Sequence, residues 1–351
     1  MTGTASFAIA GRQIGAGHEP FVVAEMSGNH NGDFNRALSI VEAAKAAGAD
    51  AIKLQTYTAD TITLDHDGPG FRVAGGLWDG RTLDELYQSA HTPWDWHRPL
   101  FAKARELGLI CLSAPFDDTA VALLESLEAP AYKIASFEIV DLALIARAAA
   151  AGKPLILSTG MASLAEIGEA VAAARAAGAR DIALLHCTSG YPTPPEDSNL
   201  RTIPHLAQAF DAVVGLSDHT PGVGAAAAAV ALGAAIVEKH FTLARADGGP
   251  DAAFSLEPDE FAALVAACRT AWRALGRISY SPAASERPNA QFRRSLYVVA
   301  DMAEGEAFSA DNLRSIRPGH GLAPKHLPVL LGKRVNRAVA RGTPASWDLI
   351  G

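Results

Sequence analysis

The stretch Ala212–Thr242, AVVGLSDHTPGVGAAAAAVALGAAIVEKHFT, carries the pattern that decides the fold. An apolar run starting at Ala212 finishes in Ser217-Asp218-His219. An Ala-rich helical segment follows over Gly222–Leu232, and a second apolar run from Ile236 ends in Glu238-Lys239-His240. This is a strand–helix–strand unit, and its strands are parallel if they share a sheet. Parallel neighbours bring their ends side by side, which would let the two imidazoles share one ion. The plainer alternative is that each histidine caps its strand and bonds a carbonyl.

The same rhythm extends outward in both directions. Apolar runs are predicted as strands at Phe21–Ser27, Ala51–Thr56, Leu109–Phe116, Ala131–Ser136, Pro154–Gly160, Ile182–Ser189, Ala212–His219 and Ile236–Thr242. Amphipathic segments such as Asn35–Ala47, Thr119–Leu127, Ala165–Ala177 and Pro258–Leu275 fall between or after them. Near-continuous apolar strands suit a parallel sheet buried on both faces. The size and repetition match a (β/α)8 TIM barrel, an α/β fold. An open doubly wound sheet is the competitor, but no phosphate-binding glycine fingerprint follows the first strand. Tyr57–Pro93 interrupts the rhythm as a long insertion with a short helix near Leu83–Ser89, the length of a lid or binding loop. The expected organisation is a catalytic barrel over residues 1–278, a polar linker over 279–291 and a small β-rich domain over 292–351.

Bulk composition narrows the function classes. The 351 residues are 49% hydrophobic and 19% charged, as in a compact protein with an ample core. A formal charge of −8 without a basic block argues against nucleic acid or a membrane surface as partner. The scattered Cys111, Cys187 and Cys268 read as reduced thiols, and the first residues lack a signal-peptide pattern, so a cytoplasmic protein is expected.

In such a barrel, catalytic groups gather at the C-terminal ends of the strands. The candidates there are Glu25, then Lys53 and Gln55, whose two-residue spacing puts them on one side. Ser113, Lys133, Ser136, Glu138, Ser158, Thr159, Gly160, Thr188, Ser189, Tyr191, Asp218, His219, Glu238, Lys239 and His240 follow at later strand ends. A lysine within an apolar strand needs a carboxylate partner or an anion. Lys53 and Lys133 therefore either form internal salt bridges to Glu25, Glu138 or Glu238, or await a small substrate bearing carboxylate and phosphate. Carbon–carbon bond chemistry on an anionic three-carbon unit and an aldehyde fits this set. A lysine Schiff-base aldolase is a second possibility, and a non-enzymatic sugar-binding barrel a third.

The motifs Ala24-Glu25-Met26-Ser27-Gly28-Asn29-His30, Ile52-Lys53-Leu54-Gln55-Thr56, Tyr132-Lys133-Ile134-Ala135-Ser136, Cys187-Thr188-Ser189-Gly190-Tyr191-Pro192-Thr193, Ser217-Asp218-His219 and Glu238-Lys239-His240-Phe241 resemble the sialic acid synthase family. Arg294-Ser295-Leu296-Tyr297 and Ile316-Arg317-Pro318-Gly319-His320-Gly321 resemble its antifreeze-like (SAF, β-clip) C-terminal domain. Ser27, the stretch Gly75–His97, Cys187-Thr188-Ser189 and Phe254-Ser255-Leu256 are most similar to the pseudaminic acid synthase branch.

The resemblance implies condensation of phosphoenolpyruvate with an open-chain acylated amino sugar, with phosphate released by C–O cleavage. For that branch the sugar is 2,4-diacetamido-2,4,6-trideoxy-L-altrose; an N-acetylneuraminate or legionaminic acid synthase would use the same chemistry on another sugar. It also implies a divalent metal, Mn²⁺ or Mg²⁺, on His219 and His240. Lys53 and Lys133 would hold the carboxylate and phosphate with Ser136, Ser189 and Ser217. Glu25, Gln55, Glu138, Tyr191 and Asp251 fall to the substrate, and Glu238 to proton transfer or water orientation. Arg317 would enter the site of the other subunit in a domain-swapped homodimer. Two departures bear on the phosphate subsite: Ala114 stands where family members often have a hydroxyl, and Ser189 where many carry Asn.

Overall fold

A computed structural model describes residues 5–351. The chain forms two compact units, one ending at Gly276 and one beginning at Arg277. In the first unit, β1 (Ser6–Ile9) and β2 (Arg12–Gly15) make an antiparallel hairpin. Then come β3 (Phe21–Glu25), β4 (Ala51–Thr56), β5 (Ile110–Pro115), β6 (Tyr132–Ile134), β7 (Leu155–Ser158), β8 (Ile182–Cys187), β9 (Val213–Asp218) and β10 (Ile236–His240). These last eight pair in parallel and in chain order, with β10 closing onto β3. The expected TIM barrel is the observed one.

Side chains alternate across each strand, so the barrel wall sorts its residues into two apolar clusters. Val22, Ala24, Ile52, Leu54, Ile134, Leu184, Leu216 and Val237 face the surrounding helices. Phe21, Val23, Ala51, Leu112, Ala131, Ile156, Leu185, Val213 and Ile236 fill the interior, and Phe7, Ile9 and Ile14 of the hairpin pack on them and close that end. The hairpin was not anticipated from sequence. Its four-residue strands show little periodicity, and their apolar faces have meaning only against the barrel floor.

The observed strands are shorter than the runs that predicted them, mostly at the C-terminal end. Residues such as Ser27, Ser136, Gly160 and His219 leave the ladder to build the loops that carry the site. The helices start where polar caps allow. Asp33 accepts from the Asn35 and Arg36 amides, and Ser163 and Glu166 form a capping box. Within the insertion, the Val73 amide donates to the Arg81 carbonyl across a turn, followed by a helix over Leu83–Ala90.

The second unit carries β11 (Ser295–Val298) and β12 (Leu313–Ile316), paired antiparallel, with isolated bridges such as Met302–Val339 and Val335–Ile350. Its own core gathers Leu296, Val298, Phe308, Leu313, Leu330 and Leu349. All three cysteines are free and buried. Among the described residues, no helix is long and apolar enough to cross a membrane.

Gly215 lies on the inward side of β9, where a Cβ would come 2.4 Å from the Ile236 carbonyl oxygen and 2.5 Å from a Leu185 methyl. Backbone cannot yield as a side chain can. Gly215→Ala should therefore destabilise the protein by about 3 kcal/mol in chemical denaturation; an unchanged midpoint would show that the barrel absorbs the methyl.

Candidate active site

Continuing the interior alternation one step beyond the apolar layer brings Glu25, Lys53, Lys133, Ser217 and Glu238 into one ring at the C-terminal mouth. Register places Lys53 beside Glu25 and Ser217 beside Glu238. Lys53 Nζ lies 3.0 Å from Glu25 Oε2 and 3.1 Å from Glu238 Oε1. Lys133 Nζ reaches the same Glu238 oxygen at 3.2 Å, and Ser217 Oγ donates to it at 3.4 Å. Gln55, on the same face as Lys53, donates to Glu25 Oε1 at 2.9 Å. Two ammoniums and two carboxylates are thus buried together and balance in charge.

Their protonation follows from that balance. Burial alone would raise Glu238, but Lys133 and Lys53 outweigh it and hold the carboxyl at about 2. Glu25 is raised, chiefly by burial, with Lys53 opposing. Burial lowers Lys133 while Glu238 pulls it back, and Lys53 is raised because Glu238 and Glu25 overcome its burial. Glu138 has no salt-bridge partner among the described residues. Its Oε2 is buried without a hydrogen bond, and burial lifts its carboxyl to about 7.

Beside the ring, Ser136, Gly160 and Ser189 converge. The Gly160 amide donates to Ser136 Oγ at 3.1 Å. A Cβ at Gly160 would lie 2.3 Å from Ser189 Oγ and 2.7 Å from Ser136 Oγ, so only glycine leaves this small polar cradle open. Ser158 Oγ, on the inward face of β7, is buried and unpartnered.

On the other flank stand the histidines, with ring centroids 5.3 Å apart. His219 Nδ1 lies 3.0 Å from the Thr188 carbonyl, which fixes that nitrogen as the donor, so in the neutral ring Nε2 carries the free lone pair. His240 Nδ1 is buried without a hydrogen bond; the Asp251 carboxylate is 3.7 Å away. Burial, followed by the neighbouring His219, lowers His240 well below the ordinary imidazole range, so it is neutral. Phe254 packs on both rings, at 6.1 and 4.8 Å, and Tyr191 on His219 at 4.5 Å. Trp78 of the insertion meets Tyr191 at 5.8 Å, and its Nε1 donates to the Pro250 carbonyl at 2.9 Å.

Residues 40–280 match the NeuB family and residues 293–351 the SAF domain. The pseudaminic acid synthase of Campylobacter jejuni subsp. jejuni serotype O:2 is 45% identical, over 92% of this chain and 94% of that protein. That of Helicobacter pylori is 44% identical, over 94% of this chain and 97% of that protein. The chain belongs to the NeuB family. It is an enzyme, a synthase of the sialic acid synthase type, with a C-terminal SAF domain. Among solved structures, an N-acetylneuraminic acid synthetase from Leptospira borgpetersenii, crystallised with citrate, aligns with a TM-score of 0.74 at 31% identity, over 83% of this chain and 97% of that one.

Three sequence readings of this NeuB-family site change. Asp218 and Lys239 point outward, away from the imidazoles they adjoin in sequence, and pair with each other at 2.7 Å. Ser113 also points outward. His97 Nδ1 donates to the Pro93 carbonyl at 3.2 Å, so its Nε2 accepts from Thr56 at 2.9 Å and Thr56 in turn accepts from Ser113 at 2.5 Å. Only the Ala114 methyl, opposite Gln55, faces the interior, so Ser113 supplies no hydroxyl there. Between the two readings of the lysines, the ion pairs go to Glu25 and Glu238 and none to Glu138. Ser158 belongs to the strand-end set expected from sequence, whereas Cys187 and Phe254, the latter as a wall of the imidazole pair, were not singled out as site residues. Two-residue spacing from Leu185 marks the inward Cys187; nothing local marks Phe254. Arg317 belongs to the second unit, where it precedes a cis proline.

The donor set fits a divalent cation: two buried imidazoles, one with its tautomer fixed and one with an orphaned nitrogen. Among the described residues, no group of three or more His, Cys, Asp or Glu side chains is arranged to hold a metal ion, so a cation here would rest on the two imidazoles together with water or substrate oxygen.

Two further histidines stand behind the mouth. Burial lowers His30 and His97 each to about 4. Between pH 6.5 and 4 the unfolded chain binds protons at these two imidazoles that the folded one refuses, so their contribution to stability falls as pH falls through this window. Each should lose roughly 2 kcal/mol by pH 5. Urea melts of the parent and of His97→Gln at pH 7 and pH 5 isolate one of them: the parent should lose roughly 2 kcal/mol more than the variant, and an equal change in both would contradict the burial of neutral His97.

Proposed function

We propose that this chain is a pseudaminic acid synthase: it condenses phosphoenolpyruvate with 2,4-diacetamido-2,4,6-trideoxy-L-altrose and water, releasing phosphate. The observation that carries the chemistry is the juxtaposition of a charge-balanced Lys–Glu ring, a hydroxyl cradle and an imidazole pair in one barrel mouth. The branch rests on the 44–45% identity to synthases of that name over nearly their whole length. Domain limits of 1–278 and 292–351 with a linker between belong to the same reading.

In this reading, Lys53 and Lys133 exchange part of their pairing with Glu238 for the carboxylate and phosphate of phosphoenolpyruvate. Ser136, Ser189, Ser217 and the Gly160 cradle take phosphate oxygens. Glu25, Gln55, Tyr191 and Asp251 orient the open-chain sugar. Glu138, protonated in part at neutral pH, donates to a sugar hydroxyl. A divalent cation held by His219 and His240, Mn²⁺ or Mg²⁺, supplies Lewis acidity at the aldehyde.

The C3 carbon of phosphoenolpyruvate forms the new bond to the aldehyde carbon, whose oxygen gains a proton. Glu238, ionised because of its two lysine neighbours, accepts hydrogen bonds from the water that adds at C2. The C2–O bond to phosphate then breaks, leaving the ketone; of the added water's two protons one balances that gained by the new hydroxyl and the other departs with phosphate. Water exclusion falls to Trp78, Tyr191 and Phe254. Arg317 of one subunit completes the sugar end in its partner's site, within a domain-swapped homodimer. The protein works in the cytoplasm.

Phosphate release should occur with the diacetamido sugar, not with N-acetylmannosamine or the legionaminic precursor, and should cease after exhaustive EDTA treatment. Turnover with N-acetylmannosamine alone would reassign the sugar. The lowered Lys133 is also what a Schiff-base lysine needs, so borohydride trapping together with EDTA-resistant activity would replace the mechanism. His219→Ala should abolish turnover with the fold intact; near-normal rates would remove His219 from the site.

Arg317→Ala should raise the sugar KM more than the phosphoenolpyruvate KM. An unchanged sugar KM would refute the swapped arrangement.

A further inference from the structure

We propose that Asp218 and Lys239 are positioning residues for the imidazole pair, and that their buried ion pair sets the spacing at which His219 and His240 receive a divalent cation. The proposal rests on the reading of that pair as a cation site.

Asp218 and Lys239 are register partners across β9 and β10, and each immediately precedes one of the histidines. Alternation sends the two histidines inward and the two charged residues outward, toward the helix layer. There Lys239 Nζ lies 2.7 Å from Asp218 Oδ2, with the side chains 0% and 1% exposed. The other Asp218 oxygen accepts from the Thr220 amide at 2.9 Å and the Thr220 hydroxyl at 2.8 Å, and Lys239 also donates to the Thr220 carbonyl. The backbone on both sides of His219 is thus fastened to the residue next to His240. From the loop side, the Thr193 amide donates to the His219 carbonyl at 3.0 Å and the Leu256 amide to the His240 carbonyl at 2.9 Å. The ring spacing of 5.3 Å is consequently held by directional bonds at the strand ends.

Neither charged residue faces the barrel interior, so neither reaches a substrate or a cation there. A buried ion pair is also a poor source of stability, since well-packed apolar residues in its place are often as stable or more so. What the pair adds is direction. The ladder between β9 and β10 ends at Asp218 and Lys239, and their bonds to Thr220 fasten the chain beyond it, where apolar contacts would leave it free to slide. Groups behind metal-binding histidines typically alter affinity by about 10- to 100-fold.

The test uses the full chain stripped by chelator, with Mn²⁺ titrated against it and free Mn²⁺ read by electron paramagnetic resonance. The paired variant Asp218→Leu with Lys239→Met removes the ion pair without stranding a charge. It should keep the parent's thermal midpoint yet bind Mn²⁺ about tenfold more weakly, and its sugar KM should rise while its phosphoenolpyruvate KM does not. A folded paired variant with the parent's Mn²⁺ affinity would overturn the proposal. Asp218→Asn, which keeps the shape, should weaken Mn²⁺ binding several-fold. If the paired variant fails to fold, an unchanged affinity in Asp218→Asn overturns the proposal by itself. A parent protein that binds no Mn²⁺ would instead overturn the cation-site reading, and the positioning role with it.

Discussion

The structure turns on one shared oxygen. Glu238 Oε1 receives Lys53, Lys133 and Ser217, contributed by β4, β6 and β9, while its own strand is β10. Because Lys53 also holds Glu25 of β3, five of the eight barrel strands meet in one buried knot. Removing either lysine would leave a carboxylate uncompensated in a low-dielectric interior, a penalty of about 3–5 kcal/mol. The knot can exist only because the barrel is closed: an open sheet would place β6 and β10 far apart, with water between them. Closure in turn requires an apolar floor beneath the charges, supplied by Phe21, Leu112, Ile156 and the hairpin residues Ile9 and Ile14.

This vertical division accounts for what the sequence could and could not reveal. A two-residue alternation that passes from apolar to polar is written plainly in Phe21-Val23-Glu25, apolar, apolar, ionised, and in Ile236-Glu238-His240, apolar, ionised, imidazole, so the barrel, its interior face and the strand-end site were legible. The same alternation explains a misreading. Asp218 and His219 are adjacent in sequence and therefore on opposite faces, and treating them as one polar group joined two separate networks. The partner of Lys53 was legible in kind, since Glu25 is its register neighbour, but the choice of Glu238 over Glu138 for Lys133 depends on distances across the lumen. Ser113 shows a similar limit. Its hydroxyl belongs to a relay through Thr56 and His97 to Pro93, and that path exists only once the helix over Trp94–Glu106 has packed on the strands.

The least legible parts are in loops. Phe254 stands against both imidazoles from a one-turn helix that produces no periodicity, and the packing of Tyr191 on His219, unlike its place after a strand end, is set in the loop after β8. The hydrogen bond from Trp78 to the Pro250 carbonyl joins the insertion to the segment that carries Asp251 and Phe254. A shift of the insertion would therefore pull on the aromatic wall beside His219 and His240.

That coupling bears on how one barrel can serve several sugars. The Lys–Glu ring and the imidazole pair stand on strands whose positions are fixed by the closed ladder and the apolar floor. Chemistry placed there tolerates little change. The walls that would touch the far end of a sugar come from the insertion and from the segment after β10, which is fastened through loop and helix side chains such as Asn29, Asn31 and Arg36 rather than by the strand ladder. A substitution at Trp78 or Phe254 alters shape and polarity around the pocket without disturbing the charge balance below it. Under the proposed reading, discrimination between a deoxy, diacetamido sugar and its hydroxylated relatives must come from this upper layer. Apolar rings reject an added hydroxyl only weakly, so strict selection would need polar groups paired with the sugar as well. In that reading Asp251 would supply them from this layer, and Glu25, Gln55 and Glu138 from the ring below it.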